Sequence, residues 1–258
     1  MLIVLIKPFI TPLLIGLSLF AARRWGAFIG GVLAGLPSIS GVASFFLALE
    51  QGPAFAADAA AHSLYGVVVC CAMTLVYVWL AKISPWYIAL PCALVVYWGA
   101  GLAAQQLPNI LWISALAAIF SPPLVILLLP RPIHTGILLP RPPWVIPAQM
   151  VCAGLLIVLL TEGAASFGAY WSGVLLFFPV CVIVLGTFAH AVQGLDAVIP
   201  LVRGLMTGFV GGVLFSVFIA YYVCSLPLSV CYALATGIAL GTSALISMGL
   251  SRRRQCSA

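Results

Sequence analysis

Apolar runs about as long as a bilayer is thick recur along the whole chain, and they constrain its fold more than any other feature. A transmembrane helix needs about 20 consecutive apolar residues. The 258 residues are 65% hydrophobic and only 5% charged. The runs have helical length and lack the short alternating pattern of an outer-membrane barrel. The sequence therefore predicts an all-α, polytopic membrane protein and excludes a water-soluble core.

Polar and Pro/Gly-rich breaks divide the chain into nine predicted spans. Ser121, Pro122 and Pro123 interrupt the fifth span, so a kinked or re-entrant segment fits it as well as a full crossing does. Arg23 and Arg24 follow the first span, which is typical of a retained anchor and not of a signal peptide. The spans are centred on residues 2–21, 26–48, 60–81, 85–105, 109–129, 144–161, 167–189, 198–223 and 227–249.

The basic residues predict the orientation, because cytoplasmic loops are enriched in Lys and Arg. With the N-terminus outside and the C-terminus in the cytoplasm, nine of the ten basic residues fall on the cytoplasmic side. Lys7 is the exception, and it lies near enough to a span end to snorkel to the interface. Because the basic residues are scattered over separate loops, we expect no nucleic-acid partner. The cytoplasmic set is Arg23, Arg24, Lys82, Arg131, Arg141, Arg203, Arg252, Arg253 and Arg254.

The second half of the chain repeats the first at an offset of 142 residues. Between residues 26 and 66 this offset gives eleven identities in forty-one positions, where composition alone gives about four. The offset contains five predicted spans, an odd number, so the second copy enters the membrane from the opposite side. Pro85 also pairs with Pro227. The landmark pairs are Gly26–Gly168, Gly31–Gly173, Pro37–Pro179, Phe46–Phe188, Gln51–Gln193, Gly52–Gly194 and Gly66–Gly208.

The repeat predicts three regions in a 4+1+4 arrangement of spans. Residues 1–106 form the first four-span unit, and residues 144–258 form the second, inverted unit with a basic tail. Residues 107–143 hold the linking span and a Pro-rich loop, which we interpret as a rigid cytoplasmic spacer.

Gly and Pro interrupt the second span of each copy, and this pattern supplies the candidate substrate site. Breaks at matching positions of an inverted repeat are typical of the midplane site of secondary transporters, because freed backbone groups need a partner or a polar cavity. Kinking and close packing of small residues explain the same pattern without a site, and both interpretations stay open. The candidates are Gly35, Pro37, Ser38, Ser40 and Gly41 in copy one, and Pro179 and Cys181 in copy two.

Candidates for ion coupling cluster near the outer end of the second span. They are Glu50, Asp58 and His62, and a histidine titrates near neutral pH. The alternative is an ordinary solvated loop, with Asp58 inside it. His190, at the end of the seventh span, is expected to reach the cytoplasmic interface.

Signatures of metal sites and enzymes are absent from the sequence. His62, His134 and His190 are isolated and no CxxC spacing occurs, so we expect no metal and no other cofactor. No GxSxG or HExxH motif is present, so we expect no enzyme. Seven cysteines lie in or beside apolar spans as small hydrophobes, and a disulfide between Cys224 and Cys231 is the less favoured reading.

The pattern of Phe178 and Pro179 within a span, followed by Gly194 and Asp196, resembles the small four-span bacterial inner-membrane proteins of the GlpM type. The stretch AGLPSISGVASFFLALEQGPAFA looks like a group of longer bacterial inner-membrane proteins that are the fused counterpart. The resemblance covers mainly the second and third spans of each half. It implies a four-span unit that pairs antiparallel, here duplicated, inverted and joined through a fifth span, and it implies no substrate and no catalytic residue.

Together these features predict a bacterial inner-membrane secondary transporter or exporter that works by alternating access of its two inverted halves. The scarcity of charge at mid-membrane favours a small neutral or amphipathic solute. The alternatives are a non-transport accessory or scaffold subunit and, less favoured, a lipid-handling protein. The expected partners are the lipid bilayer and that solute, and a homo-oligomer is left open.

Overall fold

Helices make up 87% of the computed structural model, in agreement with the all-α prediction. The structure describes residue 24 and residues 26–108, 110–130, 142, 144–164 and 168–255, and no strand occurs within these ranges. The predicted first span with Lys7 and Arg23, and the loop with Arg131, His134 and Arg141, lie outside the described residues.

Ten α-helices and one π-helical segment follow one another along the described chain. The π-helical segment, Val182–Gly186, leads directly into α8. The α-helices are α1 Ala27–Gly35, α2 Ser38–Gln51, α3 Pro53–Leu80, α4 Trp86–Gln105, α5 Leu111–Leu128, α6 Val145–Ala164, α7 Gly168–Leu176, α8 Thr187–Gln193, α9 Leu195–Tyr222 and α10 Leu228–Gln255.

Six helical stretches of the described chain are long and apolar enough to cross a bilayer. One of them is α1 and α2 taken together, from Phe28 to Gln51. The others are α3, α4, α5, α9 and the Leu228–Ser247 part of α10, while Pro147–Leu156 and Val182–Gln193 are shorter apolar helices. The structure thus defines a multi-span helical membrane protein.

Asp58 lies in a helix and not in the loop where the sequence predicts it. The span predicted at residues 60–81 begins earlier, at Pro53, because proline suits the first turn of a helix, so Asp58 belongs to α3. Arg203 lies inside α9, which begins at Leu195. Its Nε is buried and has no hydrogen-bond partner among the described residues.

The fifth helix continues through the two prolines that made its course uncertain. The α5 helix runs unbroken from Leu111 to Leu128 with Pro122 and Pro123 inside it. The Ser121 hydroxyl donates to the Ala118 carbonyl, 3.2 Å away, and so uses an acceptor within the helix. The helix packs against both α3 and α9, the long helices of the two halves.

The helix boundaries of the two halves match at the sequence offset. Adding 142 to the bounds of α3 gives Leu195 and Tyr222, the bounds of α9. The same shift converts α4 into the apolar stretch Leu228–Ser247 of α10.

Four glycines with positive φ mark the same junctions in both halves. Gly26 (φ 96°) and Gly168 (φ 72°) precede α1 and α7, and Gly52 (φ 91°) and Gly194 (φ 78°) precede α3 and α9. These are the positive-φ residues of the described chain, and only glycine adopts such angles without a steric penalty. The landmark glycines of the repeat therefore hold equivalent backbone turns.

Candidate functional site

The helix before each break packs against the long helix of the other half. A Cβ added to Gly31 in α1 would collide with the Leu201 carbonyl of α9. A Cβ added to Gly173 in α7 would collide with the Ala59 carbonyl of α3. Gly173 and Leu201 are the offset partners of Gly31 and Ala59, so each half repeats the contact of the other.

A second pair of glycines repeats this reciprocity closer to the middle of the long helices. A Cβ added to Gly66 would lie 2.7 Å from the Val174 carbonyl, and one added to Gly208 would collide with the Val32 carbonyl. Val32 and Val174 are again 142 residues apart. Small residues at such positions let helix backbones approach closely.

The register of these contacts gives the relative direction of the packed helices. Along α1 and α9, Phe28 meets Gly204 and Gly35 meets Gly208, so residue numbers rise together and the two helices run parallel. The contacts of α7 with α3 rise together in the same way. Gly26 and Gly194 therefore lie at one end of the bundle, called here the Gly194 end, and Gly52 and Gly168 lie at the other, the Gly52 end.

The two breaks contact each other between the halves. The first separates α1 from α2 at Leu36 and Pro37, and the second follows α7 at Phe177, Phe178 and Pro179. The Cys181 thiol, just after the second break, donates to the Ala34 carbonyl, just before the first, at 3.7 Å. The predicted candidates from the two copies thus meet at one place in the fold.

The space beside the breaks is filled unequally by the two copies. Gly35 in copy one corresponds to Phe177 in copy two, whose side chain is only 5% exposed. The Phe177 ring lies 3.0 Å from the Cβ position of Gly212 and edge-on to Phe209, with ring centroids 5.5 Å apart. Copy one therefore contributes bare backbone where copy two contributes an aromatic ring.

Most of the residues predicted to bind substrate are buried. A Cβ on Gly35 would collide with the Leu205 carbonyl, and a Cβ on Gly41 would lie 3.3 Å from the Phe215 ring. Ser40 is 7% exposed. The Ser38 side chain lies outside the described part of the chain, while Pro37 and Pro179 are buried and Cys181 is partly buried.

Buried hydroxyl groups join the two halves, and the sequence pattern does not reveal them. Ser44 of α2 lies 2.8 Å from the Tyr232 hydroxyl of α10. The Ser63 hydroxyl of α3 donates to the Ser216 hydroxyl of α9, also at 2.8 Å. The partners are 188 and 153 residues apart, so no local spacing reveals them. The one signal in the sequence comes from the offset alignment. It pairs Ser44 with glycine and Ser63 with leucine, so these two hydroxyl groups occur in the first copy and not at the equivalent positions of the second.

We expect the Ser44–Tyr232 contact to contribute measurably to stability. Ser44→Ala, Tyr232→Phe and the double variant form a thermodynamic cycle, read as the free energy of unfolding in detergent–SDS mixtures. Hydrogen bonds between membrane helices couple by about 0.6 kcal/mol on average and about 1.7 kcal/mol at most. A coupling in that range supports the bond, and strictly additive effects would contradict it.

Two histidine–tyrosine pairs lie along the α3 face that packs against α7 and α8. His62 of α3 and Tyr170 of α7 meet edge-to-face with ring centroids 5.2 Å apart, near the Gly52 end. Tyr77 of α3 places its hydroxyl 3.3 Å from the Nδ1 of His190 in α8, near the Gly194 end. Both pairs join the first half to the second, so His190 contacts Tyr77 in addition to lying near a helix end.

The other predicted coupling residues lie on the surface at the Gly52 end. The side chains of Glu50, in the last turn of α2, and Asp58 are exposed. His62 is tied to its own helix, because its Nδ1 lies 2.8 Å from the Asp58 carbonyl. His62 reaches the second half through its ring contact with Tyr170.

No group of three His, Cys, Asp or Glu side chains that could hold a metal ion occurs among the described residues. Cys224 and Cys231 are both free thiols, the first exposed and the second buried.

A comparison of this chain with protein-family models, curated proteins and solved structures gives no match. Its class, a multi-span helical membrane protein, follows from its own helices.

Proposed function

We propose that the chain is a secondary transporter that moves a small neutral or amphipathic solute by alternating access of two inverted halves. The observation that carries the proposal is the meeting of the two broken helices, where the Cys181 thiol lies against the Ala34 carbonyl. Broken helices at the interface of repeats form the midplane site in several transporter folds. The site and the bacterial inner-membrane location are part of this proposal.

The inverted 4+1+4 arrangement of nine spans belongs to the same proposal. It is supported by the matching bounds of α3 and α9 and by the reciprocal contacts of Gly31 and Gly173. The parallel course of α1 and α9 also supports it, because the α8–α9 turn at Gly194 then makes α1 antiparallel to the α7–α8 segment. In sequence, LLIGL at residues 13–17 aligns with LLIVL at residues 155–159 at the same offset.

Alternating access follows from this arrangement because each broken helix packs on the long helix of the other half. A rocking motion of one half against the other opens the interface between the halves at one end and closes it at the other. The interior offers hydroxyl and thiol groups and backbone carbonyls, with few charges. Such groups suit a neutral solute, since a charged solute would need a buried counter-charge.

The test of transport is accessibility at the breaks. Single cysteines replace Ser38 and Val180 in a background freed of native cysteine, and membrane-impermeant maleimide is applied to each face of sealed vesicles. Val180 is 6% exposed, so labelling of a cysteine at this position requires the interface between the halves to open. A carrier labels at these positions from at least one face, and complete protection from both faces under every condition would reject transport.

The rival proposal is a non-transport scaffold or accessory subunit, and the tight glycine packing at the centre favours it. A Cβ at Gly35 would collide with backbone, which is compatible with a rigid core as well as with a closed carrier. The maleimide experiment separates the two, since a scaffold leaves both cysteines unreactive while remaining folded.

The inverted topology makes its own prediction. Reporter fusions after residues 54 and 196, one reporter active in the cytoplasm and one active outside, are expected to report opposite sides of the membrane. The two junctions follow Gly52 and Gly194, the equivalent turns of the two halves. Fusions that report the same side would refute the inverted arrangement.

A further inference from the structure

The two histidine–tyrosine pairs occupy only one of the two equivalent seams between the halves. The first seam lies between α3 and the α7–α8 segment and holds both pairs. The second seam lies between α9 and the α1–α2 segment. At the offset, His62 and Tyr170 correspond to Gly204 and Phe28, and Tyr77 and His190 correspond to Ile219 and Ala48. All four equivalents in the second seam are apolar.

The pairs stand far apart along the first seam. His62 and Tyr77 are fifteen residues apart on α3, which corresponds to about 22 Å along a helix axis. One pair lies toward the Gly52 end and the other lies toward the Gly194 end. Each end of this seam therefore carries one histidine, and the tyrosine that it contacts belongs to the opposite half.

We infer that the two pairs are proton-responsive gates, and that protonation of the histidine at either end favours opening of the seam at that end. This inference rests on the proposed transport function and names the proton as the ion that biases its direction.

The physical reason is the solvation of the imidazole. A neutral His190 whose Nδ1 is unprotonated can accept a hydrogen bond from the Tyr77 hydroxyl and remain partly buried. An imidazolium loses that acceptor and is costly to keep away from water, so it favours the state that hydrates it. His62 places its Nδ1 against the Asp58 carbonyl and meets Tyr170 only edge-to-face, so at that gate the cost of burying the charge is the whole effect. Acidification on one face of the membrane would then open the gate at that face.

Other ionisable side chains lie on the elements around the two histidines. His62 has Asp58 and Tyr65 on its own helix, Glu50 on α2, Tyr97 on α4 and Tyr170 on α7. Toward the Gly194 end, α4 and α9, which pack against α8, carry Tyr87, Cys92, Asp196 and Arg203. Tyr77 lies near the end of α3, and Lys82 lies just after it.

The backbone beside His190 has an irregularity that the other copy lacks. Val182–Gly186 is π-helical and ends just before α8, whereas the equivalent residues 40–44 lie within the α-helix α2. π-Helical segments occur often at functional sites. The Thr187 hydroxyl donates to the Ile183 carbonyl within this segment. The segment gives α8 a local change in backbone course where the His190 gate has to open.

The experiment uses the full chain, freed of native cysteine, in inverted vesicles with the lumen held at pH 7.5. Thr187→Cys reports the Gly194 end, because Thr187 is 6% exposed and lies one turn before His190. Ile83→Cys, at a position that is 83% exposed, corrects for the effect of pH on thiol reactivity. Labelling by impermeant maleimide is measured with the bath at pH 5.5 and at pH 8.0.

The expected result is a corrected labelling rate at residue 187 that is at least about fivefold faster at pH 5.5. His190→Gln and Tyr77→Phe should reduce this ratio to below about twofold, and Thr242→Val, an exposed hydroxyl bonded to its own helix, should leave it unchanged. In right-side-out vesicles, Ser172→Cys should respond in the same way and lose its response with His62→Gln. A pH ratio that survives His190→Gln would overturn the inference.

Failure of the gates is distinguishable from failure of transport. Labelling at residues 172 and 187 that occurs but does not depend on pH would reject the proton gates and leave alternating access intact. Protection of both positions at every pH, in protein that elutes as a single species, would reject both proposals. If His190→Gln does not fold, Tyr77→Phe decides the result, because it keeps the ring and removes only the hydroxyl.

Discussion

Alanine at Gly31 and alanine at Gly173 are expected to destabilise the protein by similar amounts. Each added Cβ collides with a backbone carbonyl of the long helix in the other half, Leu201 for Gly31 and Ala59 for Gly173. Overpacking typically costs about 1–3 kcal/mol, and backbone relaxes less readily than a side chain. We therefore expect both variants at the upper end of that range, measured as the free energy of unfolding in detergent–SDS mixtures.

The matched control for these variants is Gly241→Ala. Gly241 also lies within a long helix, α10, but nothing lies within 4 Å of its Cβ position. Alanine is favoured over glycine inside a helix by roughly 0.5–1 kcal/mol, so this change should be neutral or stabilising. If alanine were tolerated at Gly173 and not at Gly31, the two halves would not pack reciprocally.

The sequence was most informative where glycine or proline is the only residue that satisfies the backbone. Gly26, Gly52, Gly168 and Gly194 were found as repeat landmarks, and the structure places all four at positive φ. Pro37 and Pro179 likewise mark the ends of α1 and α7. These residues are readable because a local steric rule requires them.

The sequence was least informative where the partner is distant. Nothing near Ser63 shows that its hydroxyl meets Ser216 across 153 residues, since serine in a membrane helix often bonds to its own backbone. His190 was assigned to the interface from its place at a span end, and its contact with Tyr77 depends on how α8 packs on α3. The sequence predicts Asp58 in a loop because its charged side chain interrupts the apolar run, although α3 already begins at Pro53.

The two seams share their glycine contacts and differ in their polar side chains. The α1–α9 contact is held by glycines at Gly31, Gly35, Gly204 and Gly208. The offset partners of Gly204 and Gly208 are His62 and Gly66. The α3–α7 contact therefore has an imidazole side chain at the position where the α1–α9 contact has a glycine. The two seams thus differ in chemistry although their glycine contacts are equivalent.

Cysteines at positions 63 and 216 are expected to form a disulfide that holds the two halves together. The Ser63 and Ser216 hydroxyl oxygens are 2.8 Å apart, which brings the β-carbons within reach of disulfide geometry. With a protease site inserted between residues 132 and 139, oxidised protein should remain one band after cleavage, and reductant should release two. Ser63→Cys with Thr236→Cys, a residue bonded to its own helix, serves as the control and should give at least tenfold less cross-link.

The same disulfide should block the proposed alternating access. Ser63 and Ser216 join α3 to α9 in the part of the bundle nearer the Gly52 end, so their cross-link holds the two halves together near that end. With a third cysteine in place of Val180, we expect oxidation to slow maleimide labelling from the outer face at least tenfold, and reductant to restore it. Peptide mass spectrometry separates the label on residue 180 from label on the reduced pair. Unchanged labelling in fully cross-linked protein would show that maleimide reaches the breaks without separation of the two halves. The Ser63–Ser216 pair would then lie outside any moving interface.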